Sequence, residues 1–137
     1  MEYDVVKMIP LTEKGLGQIT YDDYMQGLLS DPSEEKEFEY TIAFCNKSQN
    51  ILVLFIDNST ECKKISYIGE CLKQEAEVEN GSRKVKINNL VKLDNPISAK
   101  DYGYITLRKN LTPEKNGAFV KKIVEIYEEN LKNNKIQ

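Results

Sequence analysis

The chain contains no histidine and no tryptophan. Without an imidazole, the familiar nucleophile–histidine–acid triads are excluded. A zinc site would be limited to the three cysteines, Cys45, Cys62 and Cys71, whose spacing matches no metal motif. Odd in number, they are expected to be reduced and mostly buried, acting as small apolar residues, with a reactive thiol as the minor alternative. No phosphate loop is present; "GLG" (Gly15 to Gly17) is two glycines in a loop. The acid pairs Asp22-Asp23 and Glu34-Glu35 are sequence neighbours, which do not face each other on a helix. Glu70 remains as a candidate acid, and a structural role at a strand edge is the expected one. The reading is therefore of a chain that is not an enzyme, with no catalytic residue, no metal ligand and no cofactor assigned.

Long apolar runs are missing too. None approaches the roughly 18 residues of a membrane span, so no membrane partner is expected. The opening "MEYDVVKMIP" has acids at positions 2 and 4 and no apolar core, unlike a secretory signal. The expected location is the cytoplasm. Repeats and low-complexity segments are also lacking.

What is present suits one domain with one core. The length is 137 residues, with 40% hydrophobic and 30% charged. The domain is placed at residues 1–131, with 132–137 as a frayed tail or linker. Asp4 to Ile9 predicts a first strand, stopped by Pro10. Thr20 is a candidate helix N-cap with Asp23 three residues on, and a helix follows from Tyr21 to about Leu29. Residues 30–37 are expected to be an exposed acidic loop. "EFEYTIAFC" alternates at strand period, with Phe38, Tyr40, Ile42 and Phe44 on one side. "ILVLFI" (Ile51 to Ile56) is apolar on both faces, as in a central strand.

The strongest local signal is Asn80-Gly81, which predicts a two-residue hairpin turn. Its register sets Val78 opposite Arg83, Glu77 opposite Lys84, Ala76 opposite Val85, Glu75 opposite Lys86, and Gln74 opposite Ile87. The first arm, Lys63 to Glu79, is long enough to bend, and Gly69 is the candidate bulge or corner. Ser98 and Asp101 have capping spacing for a single turn, and "YGYITL" reads as a short strand. The last element is a helix with a stripe at Phe119, Val120, Ile123, Val124, Ile126, Tyr127 and Leu131. Either Thr112-Pro113 or Asn116-Gly117 starts it. The fold class is thus α+β: a small, mostly antiparallel, barrel-like sheet of five or six strands with two or three flanking helices.

Charge is unevenly spread. Residues 1–79 hold 16 acids and 7 bases, whereas residues 80–137 hold 6 acids and 12 bases. A basic second half favours a nucleic-acid partner. Phosphate contacts would come from Arg83, Lys84, Lys92, Arg108, Lys109, Lys121 and Lys122. The alternative is that these charges interleave in space with acids. The acidic first half instead favours a protein-binding module, such as an inhibitor or immunity-type protein that occupies a basic groove.

The order of segments resembles the PUA-like superfamily, specifically its EVE and YTH branch. "KISYIGECL" (Lys64 to Leu72), "RKVKINNLVKLDNPIS" (Arg83 to Ser98) and "NGAFVKKIVEIYEENL" carry the resemblance, over roughly residues 51–131. It implies a barrel-like fold that recognises nucleic acid, DNA included, by holding a flipped or modified base. The family's pocket tryptophans have no counterpart here, and the family order places Tyr21, Tyr24 and Tyr40 near the pocket as its rings. The resemblance further implies a recognition module of a restriction system, fused to or associated with an NTPase of the McrB type or a nuclease.

Overall fold

A computed structural model of the chain describes residues 2–31, 35–40, 49–72, 77–79, 82–104 and 110–136, with 35–40, 77–79, 82–85 and 135–136 described by backbone alone. The elements run β1 (Val5–Leu11), α1 (Tyr21–Ser30), β2 (Glu35–Tyr40), β3 (Asn50–Asp57), β4 (Lys64–Leu72), β5 (Glu77–Glu79), β6 (Ser82–Ser98), a 3-10 turn (Lys100–Tyr102), β7 (Asn110–Leu111) and α2 (Gly117–Ile136). The α+β class holds. One seven-stranded sheet has the order β2-β6-β4-β3-β1-β7, with β5 also on β6. Among the described residues only β1 and β3 pair in parallel; the other pairings are antiparallel.

The sheet is open rather than barrel-like: among the described residues no pairing joins β2 to β7. Closure buries the inner face of a sheet against itself, whereas layering buries each face under another element. Here each face has its own helix. Met8, Leu52, Leu54, Ile65, Ile68, Val91 and Leu93 pack with Phe119, Val120, Ile123 and Tyr127 of α2. On the opposite face Ile9, Val53, Phe55, Tyr67, Ile87 and Leu90 pack with Tyr21 and Met25 of α1. The apolar run of β3 is central, as its two-sided pattern requires: Leu52 and Leu54 face α2 while Val53 and Phe55 face α1.

Local expectations fare differently according to what competes with them. Thr20 caps α1, its Oγ1 accepting from the Asp23 amide at 3.2 Å. Ser98 Oγ likewise accepts from the Asp101 amide at 3.3 Å ahead of the 3-10 turn. α2 starts at Asn116-Gly117 rather than Thr112-Pro113, and it extends to Ile136 through the stretch expected as a tail. β1 is not stopped by Pro10, which pairs opposite Ile56. On its other side β1 pairs, among the described residues, through Val6 and Lys7 with β7. β2 begins inside the expected acidic loop, at Glu35. Its register sets Glu37 opposite Lys86 and Glu39 opposite Lys84.

The hairpin register is as the turn predicts: Glu77 lies opposite Lys84 and Val78 opposite Arg83. The Asn80-Gly81 turn and the expected partners Gln74, Glu75 and Ala76 lie outside the described residues, as do Ile42, Phe44 and the second half of "YGYITL". The bulge sits not at Gly69 but across from it. Between the pairs Ile68–Val91 and Glu70–Asn88, β6 spends one residue more than β4, and Asn89 adopts a left-handed φ of 50°. That kink brings Ile87 and Leu90 over Gly69, where an added Cβ would stand 2.4 Å from Ile87 Cγ2. Gly69→Ala is therefore expected to destabilise the fold by about 1–3 kcal/mol, the usual range for overpacking. A urea unfolding midpoint measures it, and an unchanged midpoint would contradict the close approach.

Candidate functional site

A cleft of about 720 Å³ opens between the N-terminal segment, the turn before α2 and the first turns of α2. Its walls are Glu2, Tyr3 and Asp4 on one side, Thr112, Pro113 and Glu114 at one end, and Gly117, Val120, Lys121, Val124 and Glu125 on the helix. These walls meet because β1 and β7 are neighbours. The segment preceding β1 and the turn following β7 then share one end of the sheet. The floor is apolar: Tyr3 and Val120 are buried and belong to the α2-side core, with Val124 packed against it. The rim is charged. Glu2, Asp4, Glu114 and Glu125 are all exposed, and Lys121 is the single basic residue among the lining side chains. An apolar floor under a rim of carboxylates attracts a ligand with cationic groups and some hydrocarbon, as the stems and heads of lysine and arginine provide.

Tyr3 in turn joins the cleft to a polar cluster around the buried Glu70. Glu70, only 3% exposed, sits on β4 between β3 and β6, an interior position and not the strand edge expected. Its carboxylate accepts from the Tyr3 hydroxyl and from Asn89 Nδ2 at 2.7 Å. The Tyr127 hydroxyl of α2 donates to the Asn89 carbonyl at 2.7 Å. Burial pushes both tyrosine pKa values up, and the neighbouring Glu70 charge pushes them further. Burying a carboxylate is costly unless it is hydrogen-bonded, and the Tyr3 hydroxyl and the Asn89 side-chain amide supply those bonds.

The residues expected to contact nucleic acid are dispersed. Lys92 lies on the α1 side of the sheet, its Nζ 5.9 Å from the Tyr67 ring centroid. Lys121 and Lys122 are exposed on α2, which covers the opposite face. Arg83 lies opposite Val78 on β5 and Tyr40 on β2, and Lys84 opposite Glu77 and Glu39. Acidic β2 and β5 thus flank basic β6 in the ladder. Arg108 and Lys109 lie outside the described residues.

The three expected rings are also separate in role. Tyr21 is buried, donating to the Phe55 carbonyl at 2.6 Å and accepting from the Ser66 amide at 3.3 Å. Its ring meets Tyr67 edge-on at 5.8 Å. It anchors α1 to the sheet and offers no open stacking face. Tyr24 is half-buried against the same core, and Tyr40 ends β2.

Of the cysteines, Cys71 is buried as expected while Cys62 is exposed; Cys45 lies outside the described residues. Among the described residues no group of three or more histidine, cysteine or acidic side chains could hold a metal ion, and no helix is long and apolar enough to cross a membrane.

Sequence reasoning missed the cleft. Glu2 and Asp4 belong to the acidic half and Glu114 and Glu125 to the basic half, more than 100 positions apart. Only the pairing of β1 with β7 brings them together, and no local pattern announces that pairing. No family model matches the chain, and neither a curated protein nor a solved structure matches it.

Proposed function

We propose that the chain is a non-catalytic binding module that takes a lysine- or arginine-rich segment of a protein partner in the cleft between the N-terminal segment and α2. The observation that carries this reading is the rim of four carboxylates over an apolar floor. The excess of acids in the chain, with a net charge of −3, supports it by steering basic partners.

The second reading is nucleic-acid recognition of the PUA-like, EVE or YTH kind, for a restriction system. It is favoured by the order of elements: "KISYIGECL" forms β4, "RKVKINNLVKLDNPIS" lies within β6, and "NGAFVKKIVEIYEENL" enters α2.

Fluorescence anisotropy separates the two. A labelled basic peptide and labelled plain and modified DNA duplexes are titrated at two salt concentrations. The first reading expects peptide binding that weakens with salt. Reversing two rim charges, Glu114→Lys with Glu125→Lys, should weaken it about ten- to a hundredfold, as attraction turns to repulsion at short range. DNA binding without peptide binding would transfer the function to the second reading. The pair Arg108→Ala and Lys109→Ala should then weaken all sequences alike, and Tyr24→Ala the preferred target most. Failure of both ligands would sink both readings.

A further inference from the structure

The two walls of the cleft are tied to one buried group. Tyr3, in the N-terminal wall, donates directly to the Glu70 carboxylate. Tyr127, on the helix that forms the other wall, donates to the Asn89 carbonyl, and the Asn89 amide donates to Glu70 at 2.7 Å. The N-terminal wall is also held to the sheet by the packing of Tyr3 in the core and by two hydrogen bonds among the described residues, the Asp4 amide to the Asn50 carbonyl and the Asn50 amide to Asp4 Oδ2, each at 2.8 Å.

We propose that Glu70 is a positioning residue for the cleft: through Tyr3 on one side and Asn89–Tyr127 on the other, it sets the separation of the two walls. The geometry is economical for this purpose. Glu70 stands on β4, in the rigid middle of the sheet, so both walls are referenced to the same fixed point. A carboxylate has two oxygens, and each here serves a different arm: Oε2 takes Tyr3 and Oε1 takes Asn89. An amide at this position offers one neutral acceptor oxygen in place of two charged ones, so neither arm keeps a charged acceptor and the two no longer have an oxygen each. The functional meaning of the latch rests on the reading of the cleft as the binding site, but the latch itself is testable without ligand.

The test is amide hydrogen exchange on the ligand-free protein, comparing wild type with Glu70→Gln, Tyr3→Phe and Tyr127→Phe. Exchange at the Leu54 amide, in the central strand, reports global opening and serves as the internal reference. Tyr3→Phe is expected to speed exchange at the Asp4 amide about tenfold beyond any change at Leu54, leaving the α2 amides near Val124 unchanged relative to that reference. Tyr127→Phe should do the reverse. Glu70→Gln should loosen both walls relative to Leu54. If Glu70→Gln fails to fold, the two tyrosine variants decide. A uniform change at every amide would make the cluster merely structural and overturn the proposal, as would an Asp4 amide unmoved by Tyr3→Phe. Because no ligand enters the measurement, its failure is distinct from failure of the peptide reading.

Discussion

Raising the pH from 9 to 11 should lower the stability of this protein by roughly 4 kcal/mol, about 1.4 from each of three buried tyrosines. Tyr3, Tyr21 and Tyr127 are each less than a tenth exposed, and burial pushes all three pKa values well above the ordinary 10.0. For Tyr3 and Tyr127 the Glu70 carboxylate raises them further; for Tyr21 the Ser66 amide opposes the rise only in part. The folded state therefore keeps these protons where the unfolded chain releases them. Stability is fully present below the unfolded pKa near 10 and falls as pH rises beyond it toward the folded values. Urea titrations at pH 8, 9, 10 and 11 measure the slope. A flat profile to pH 11 would mean that these hydroxyls are not held as described.

Ile123→Ala is expected to cost about 2–5 kcal/mol, the range for large-to-small changes at buried positions. Ile123 is fully buried, between Val120 and Tyr127 on the face of α2 that meets the sheet. The vacated space is bounded by strands whose residues are themselves fully buried, so collapse around it is limited. Against a total stability of some 5–15 kcal/mol, the variant should show a large drop in unfolding midpoint. A near-neutral result would mean that α2 is not docked on this sheet, and the cleft would lose a wall.

Much of the fold was legible because its signals are local. The Thr20 cap, the stripe of α2, the two-sided run of β3 and the register of the β5–β6 hairpin each depend on neighbours in sequence. The stripe's residues meet one face of one sheet, so period alone identified them. Pro10 misled because a proline ends a strand only where its missing N–H is needed, and need depends on which strand lies alongside. Gly69 reads in the sequence as a bulge or corner, whereas the bulge lies across from it on β6, at Asn89, and the glycine serves the close approach of Ile87. The acidic stretch from Glu35 looked like an exposed loop because its basic partners are some 50 positions away on β6.

The site was less legible for the same physical reason. Charge counted along the chain suggested a basic half and an acidic half. The ladder sets acidic β2 and β5 beside basic β6, and four acids drawn from both halves line one cleft, where the segment before β1 meets the turn after β7. Glu70 shows the limit most directly. Its sequence context gives a strand glutamate, and nothing in "IGEC" reveals that Tyr3 and Asn89 will converge on it.

The most direct measurement is the map of backbone amide shifts on titration with an unlabelled lysine- and arginine-rich peptide at low salt. Perturbations are predicted to cluster at residues 2–4, 112–117 and 120–125, and to disappear in the Glu114→Lys, Glu125→Lys variant. Perturbations gathered instead on the β5–β6 hairpin or on the α1 side around Lys92, or none at saturating peptide, would contradict the assignment of the cleft as the binding site.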